Sequence, residues 1–270
     1  MRKTEDIPDA GAMARPSIDR ETLEKFLHRI AIGGESLRLR DEDRKKAREL
    51  VGLLPEIGRV LAGRASPLVV DAAAGSGWVG IAMRALVVPD ARLVAIEHDA
   101  AKAERARLLA VAAGVGPIDV RTADVADASA WPEAPELAVA LHACGAASDV
   151  VIERAAAAGA RTILVAPCCV ASTLPLAQIA ATRADQIGLP RPGPVRRRFV
   201  ESFVLGARLL TLESLGYATE AVPFVGETVT PYNVVLRGRR GRDGTRIARA
   251  KADLEHLLGG VGEPGPKRKA

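Results

Sequence analysis

The chain has 270 residues, of which 48% are hydrophobic, 26% charged and 3% aromatic, with a formal net charge of +5. That length buries one good core without staples and favours one domain with an appendage over two full domains. No run reaches the roughly 18 unbroken apolar residues of a membrane span, and the opening MRKTEDIPDAGAMARPS has no apolar centre of a secretory signal, so a cytoplasmic protein without a membrane partner is expected. Three cysteines, Cys144, Cys168 and Cys169, cannot make a disulfide framework, which points to reduced thiols. The charge is uneven. From Arg237 onward ten basic residues oppose four acidic ones, while the preceding chain holds 28 and 29. A smaller basic cluster, RPGPVRRRF, contains Arg191, Arg196, Arg197 and Arg198. Clustered Lys and Arg attract phosphate backbones by counterion release, and they also serve as solvated tails that keep a protein soluble.

Two helical patterns come first. Leu23, Phe26, Leu27 and Ile30 share one face; after Asp41 as a candidate N-cap, Ala47, Leu50, Val51, Leu54, Ile57 and Leu61 share another, with Pro55 expected to kink it. From Pro67 short apolar runs alternate with Ala-rich helical stretches at the spacing of a parallel α/β sheet. The candidate strands are 67–72, 91–97, 117–122, 136–142 and 161–167. The clearest intervening helix starts at Asp99 as N-cap and stops at Gly114. FVESFVLGARLLTLESLGY reads as a long helix, followed by ATEAVPF and YNVVLRG, two runs close enough to pair antiparallel.

The stretch VVDAAAGSGWVG contains a literal G-x-G-x-x-G at Gly75, Gly77 and Gly80. In a dinucleotide fold the first glycine follows the strand at once, so that backbone amides and a helix N-terminus approach a pyrophosphate. Here Asp71 and three alanines intervene. A carboxylate at the strand end repels paired phosphates and attracts a ligand bearing ammonium and sulfonium charge, which favours S-adenosylmethionine. The second strand ends at Glu97, placed to accept from both ribose hydroxyls, and His98 follows it. A nicotinamide enzyme also wants an acid there, so Glu97 does not discriminate. At the third strand end Asp124 offers an acceptor for an adenine amino group and Val125 an apolar contact for the ring. Each acid alone also fits a helix N-cap or a solvated turn; the succession of three at strand ends favours the methyl donor.

These residues resemble the class I S-adenosylmethionine-dependent methyltransferases, whose first motif is D-x-G-x-G-x-G. DAAAGSG, Asp71 to Gly77, matches at the acid and the last two glycines, with Ala73 in place of the first. The alanine is tolerable where the backbone needs no positive φ. The resemblance spans residues 40–240 and implies a Rossmann-like seven-stranded α/β sheet, mostly parallel with an antiparallel last strand, behind N-terminal helices. The implied organisation is a disordered start at 1–16, a helical segment at 17–63, an S-adenosylmethionine-binding domain at 64–240 and a basic tail at 241–270. Asp71, Ala72, Ala73, Gly75, Gly77, Glu97, His98, Asp124, Val125 and His142 would form the cofactor site.

A narrower likeness rests on ALHACGAASD, APCC and TPYNVVL. These runs look like the branch that includes tRNA acceptor-stem 2′-O-methyltransferases and animal methyltransferase-like proteins, with an H-x-C-G-x-x-[ST]-D run and a Cys-Cys pair. His142, Cys144, Gly145, Ser148 and Asp149 fit the first run; Cys168 and Cys169 fit the second. The zinc-knuckle modules of some of those RNA enzymes are absent, so the acceptor does not transfer directly.

His142, at the end of the fourth strand, is the candidate base for a hydroxyl acceptor, or else a histidine that lines the methionine pocket. Cys144 and Cys168 are candidate nucleophiles towards a pyrimidine C6, although the Asp-Pro-Cys of such enzymes is His-Ala-Cys here. Zinc is disfavoured because the cysteines lack C-x-x-C spacing, so no metal is expected. No [DN]-P-P-[FYW] follows the fourth strand, which argues against an exocyclic base nitrogen as acceptor. RNA, met through Arg196, Arg197, Arg198 and the basic tail, is the favoured acceptor. The alternatives are an NAD-dependent oxidoreductase and a non-catalytic RNA-binding module on a methyltransferase fold.

Overall fold

A computed structural model describes residues 19–32, 41–167, 169–191, 193–226 and 233–259. Two helices, α1 (Arg20–Ile32) and α2 (Asp41–Leu61), precede an alternating series: β1 (Leu68–Ala72), α3 (Trp78–Leu86), β2 (Arg92–Glu97), α4 (Ala100–Ala113), β3 (Asp119–Thr122), β4 (Leu137–Leu141), α5 (Ala147–Ala157) and β5 (Thr162–Ala166). Two consecutive helices follow, α6 (Pro175–Gln186) and α7 (Pro194–Ser214), then β6 (Tyr217–Pro223), β7 (Val234–Arg240) and α8 (Gly244–Leu258). All seven strands join one sheet in the order β3-β2-β1-β4-β5-β7-β6. Strands β1 to β5 pair in parallel, and β7 runs antiparallel to both β5 and β6. This is the seven-stranded Rossmann-like layout expected from the sequence.

The five candidate strands fall within a residue or two of the observed ones, and in β1, β2, β4 and β5 the apolar residues are buried on both faces. Val69, Val70, Leu137, Val139, Ile163 and Leu164 are fully enclosed. One face packs on α1 to α4 through Leu23, Leu50, Leu54, Ile57 and Ile81; the other packs on α5 and α7 through Val151, Ile152 and Leu212. The carboxylate of Asp99 caps α4 by accepting from the Ala101 and Lys102 amides, and Gly114 ends that helix in the left-handed region. Helix α2 runs through Pro55 unbroken.

Two features set the position of α2. A methyl group built on Gly52 would lie 1.7 Å from the carbonyl oxygen of Phe224, so only glycine lets the helix press onto the chain after β6. Glu56, buried on the same helix, pairs with Arg59 and, at 3.1 Å, with Arg237 of β7. The C-terminal region departs from a plain tail. Residues 244–258 form α8, capped by Asp243 accepting from the Arg246 amide and packed on α7. The last residues of the expected tail, 260–270, lie outside the described residues, as do Thr230, Pro231 and Tyr232 of the TPYNVVL run. Among the described residues no helix is long and apolar enough to cross a membrane.

Candidate functional site: a carboxylate-lined cavity at the sheet's switch point

The strand order reverses direction between β1 and β4, and ligands of open α/β sheets bind beyond the carboxyl ends of the strands at such a point. A cavity of about 630 Å³ lies there. It is lined by the β1–α3 loop, the ends of β2 and β3, the chain leaving β4, and Leu50 of α2. Of the residues singled out in the sequence, Asp71, Ala73, Gly75, Glu97, His98, Asp124, Val125, His142 and Cys144 all reach it. Ala72 is buried within β1 and Gly77 is the N-cap of α3, so these two shape the cavity without lining it. Cys168 lies outside the described residues.

The glycine loop is closed upon itself. The Ala74 amide donates to the Ile96 carbonyl at 3.0 Å, and Gly77 donates to Ala74 at 2.9 Å. Gly75 donates to Glu97 Oε2 at 2.7 Å, and Gly80 to Asp71 Oδ2 at 2.9 Å. Four of the amides that a dinucleotide loop offers to a pyrophosphate are thus already satisfied, two of them by carboxylates. Gly80 is needed for close approach: a methyl group there would sit 2.6 Å from Leu93 Cδ2 and 3.2 Å from Asp71 Oδ2. The loop is built to hold carboxylates, and anionic phosphates would have to displace them.

Asp71 is only 1% exposed. Burial pushes its carboxyl up to about 7; the Gly80 hydrogen bond opposes that rise and the neighbouring Glu97 charge adds to it. A cationic ligand in the cavity favours the ionised form. Glu97 accepts from the Asp99 amide at 2.9 Å through Oε1, which also lies 3.1 Å from His98 Nδ1. Its two oxygens are therefore fixed in direction and keep lone pairs that can accept further hydrogen bonds from the cavity. Asp124 accepts from the Ala126 amide through Oδ1 at 2.8 Å, an Asx turn that orients the other oxygen. The Val125 carbonyl is held by the Trp131 indole at 2.8 Å.

Ala73 corrects a condition set by the sequence. Its φ of +53° lies in the left-handed region that favours glycine, so the alanine occupies a strained place in the loop. His142 is the second such residue at the cavity, with φ +66°. Its amide still pairs with the Ala166 carbonyl at 3.2 Å, extending the β4–β5 ladder, before the chain turns out of the sheet. Its ring nitrogen Nε2 lies 2.6 Å from Glu49 Oε2 of α2.

The rest of the H-x-C-G-x-x-S-D run braces this turn. The Ser148 hydroxyl donates to the Ala143 carbonyl. Arg208 of α7, 1% exposed, donates to Asp149 at 2.7 and 3.2 Å and to the Gly145 carbonyl at 3.0 Å. Cys144 is disulfide-bonded, whereas Cys169 is not in a disulfide. The expectation of three reduced thiols is thereby corrected, and Cys144 has no thiolate with which to attack a pyrimidine in this state. Among the described residues no group of three or more His, Cys, Asp or Glu side chains is arranged to hold a metal ion.

Residues 45–174 match the sequence model of a family described as a methyltransferase domain. The fold is that of a Rossmann-like methyltransferase. Among solved structures, the chain resembles a Podospora anserina methyltransferase with bound S-adenosylhomocysteine, at 12% identity and a TM-score of 0.50, over 82% of this chain and 88% of that one. It also aligns with the magnesium protoporphyrin IX methyltransferase of Synechocystis, likewise with S-adenosylhomocysteine, at 14% identity, a TM-score of 0.46, and 80% and 94% coverage. A candidate O-methyltransferase from Klebsiella pneumoniae aligns at 15% identity and a TM-score of 0.47, over 83% of this chain and 90% of that one. At these identities the structural likeness concerns the fold alone. A comparison with curated proteins finds no match.

Sequence reasoning missed Glu49, Arg208 and Trp131. Glu49 and Glu56 are both buried on α2, where an acid beside an apolar stripe reads in sequence as the edge of a solvated face. Arg196 also differs from expectation. It is turned inward onto Asp185 at 2.8 Å and the Ala181 carbonyl at 2.7 Å, whereas Arg197 is 70% exposed and Arg198 is exposed.

Proposed function

We propose that the chain is an S-adenosylmethionine-dependent methyltransferase acting on an oxygen acceptor. The observation that carries this reading is the loop whose amides are satisfied internally while Asp71, Glu97 and Asp124 face one cavity. Such a site attracts a cation and repels a pyrophosphate, which weighs against the nicotinamide alternative. Its volume falls in the range of cofactor sites. Asp71 would face the positively charged end of the methyl donor, Glu97 the ribose, and Asp124 with Val125 the adenine.

When bound, S-adenosylmethionine supplies an electrophilic methyl group: a carbon–oxygen bond forms as the carbon–sulfur bond breaks, its electron pair staying on sulfur. The protein's own tasks are to position, to exclude water and to take the acceptor proton. His142, at the cavity wall, is the base. RNA is the proposed acceptor class, supported by exposed Arg197, Arg198, Arg239, Arg240 and Arg242 together with the resemblance drawn from the H-x-C-G and Cys-Cys runs. The test is incubation with labelled methyl donor and fractionated RNA, protein and small-molecule extracts. Label is expected in RNA; label in another fraction would reassign the acceptor, and none anywhere would overturn the reading. The variant His142→Gln is expected to lower turnover by about 10²-fold or more, and an unchanged rate would remove His142 as base.

A further inference from the structure

Glu49 and His142 are 93 positions apart in the chain, yet their side chains meet at 2.6 Å. Glu49 comes from a helix that precedes the strand–loop–helix unit carrying the carboxylates, and its side chain is 2% exposed. A carboxylate so deeply enclosed is costly unless it is paired and hydrogen-bonded. Among the described residues the hydrogen-bond partner of Glu49 is His142 Nε2. The ring stands between this carboxylate and the cavity, with one third of its side chain exposed. The helix that delivers Glu49 is fixed by the Gly52 contact with Phe224, and the backbone of His142 is held at an unfavourable φ of +66°. Strained backbone of this kind persists where the surroundings over-determine it.

We propose that Glu49 is the positioning residue of His142: it holds the ring through Nε2 and so makes Nδ1 the nitrogen that accepts the acceptor's proton. This rests on the reading of His142 as base given above. An ionised carboxylate only accepts hydrogen bonds, so Nε2 carries the ring hydrogen, and in a neutral imidazole the lone pair is then on Nδ1. In the step, the acceptor O–H bond breaks, its electron pair stays on oxygen, and the proton passes to Nδ1. The imidazolium that results is held against the negative Glu49, and later returns the proton to solvent. The roles of the two ring nitrogens are reversed relative to hydrolytic triads, in which the acid holds Nδ1 and Nε2 is the base. The N-terminal helical segment is on this account part of the reaction centre.

The test uses the full chain with 15N-labelled histidine, as wild type, Glu49→Gln and Glu49→Asp. The wild type is expected to show a slowly exchanging, strongly downfield Nε2–H resonance that identifies a charge-assisted hydrogen bond, and a bare Nδ1 in the same ring. In Glu49→Gln that resonance moves upfield, and kcat falls about 10- to 100-fold with the donor KM unchanged; Glu49→Asp restores part of both. A wild-type spectrum without the resonance overturns the pairing. A loss of the resonance in Glu49→Gln with unaltered kcat overturns the positioning role. A wild type that shows the resonance but transfers no methyl group overturns the base reading itself, and with it the catalytic part of the proposal.

Discussion

Asp71→Asn separates what the carboxylate does for the fold from what it does for the ligand. In the folded chain its carboxyl is pushed from 3.8 up to about 7, with burial as the leading cause. A group raised in this way binds its proton more tightly when folded, so stability falls as pH rises from about 4 to about 7 and levels off above. About three pH units at 1.36 kcal/mol each put the full cost near 4 kcal/mol, as an upper bound. Asparagine keeps an oxygen for the Gly80 amide and nearly the same volume, and carries no charge. Without ligand, Asp71→Asn should therefore match the wild type in urea unfolding near pH 4 and exceed it increasingly towards pH 8, by up to about 4 kcal/mol. Titration with S-adenosylmethionine at pH 8 should show the reverse. The variant binds at least about tenfold more weakly, because the stabilised charge pair is gone. Wild-type affinity should rise with pH through about 7, and that of the variant should stay flat. A variant less stable than wild type at pH 8 would show that the buried Asp71 charge carries no such cost, and one that binds the methyl donor equally well would show that the charge does not hold the ligand.

The strain at Ala73 predicts that Ala73→Gly raises stability by about 0.5–1 kcal/mol in chemical denaturation, the relief of a left-handed alanine outweighing the greater freedom of unfolded glycine; a destabilised variant would contradict it. Gly52→Ala should cost about 3 kcal/mol or more, since the added methyl group meets a backbone oxygen that no side-chain rotation can clear. Because Gly52 sets the approach of α2, the same variant should also weaken the Glu49–His142 contact, seen as a changed His142 ring spectrum. A melting temperature equal to wild type would show that α2 is not seated there.

The positions of β1, β2, β4 and β5 were legible from the sequence because burial on both faces leaves continuous apolar runs, and the β6–β7 pair because its two runs follow one another in the chain with no helix between them. That three acids meet at one cavity was legible from their positions: Asp71, Glu97 and Asp124 terminate or follow strands whose carboxyl ends converge. Helix α8 was hidden by its composition. RGRRGRDGTRIARAKADLEHLL is rich in arginine and glycine and reads as solvated, yet Asp243 caps it and Ala250 is buried. Glu49 was illegible for a different reason. An acid one position before the buried Leu50 looks like the edge of a polar face, and only the closure of α2 over the end of β4 turns it inward. Ser148 and Asp149 were read as part of a motif, but their work as a brace for the His142 turn depends on the Ala143 carbonyl and on Arg208, the latter about sixty residues downstream. The bonded state of Cys144 is likewise a matter of spatial proximity that composition and compartment arguments do not reach.

On the proposed function this cavity takes a cationic methyl donor. Calorimetric titration of the full chain with S-adenosylmethionine, S-adenosylhomocysteine and NAD at pH 8 tests it most directly. One equivalent of S-adenosylmethionine or S-adenosylhomocysteine is expected to bind, with no heat from NAD. Saturable NAD binding with neither adenosyl ligand bound would contradict it.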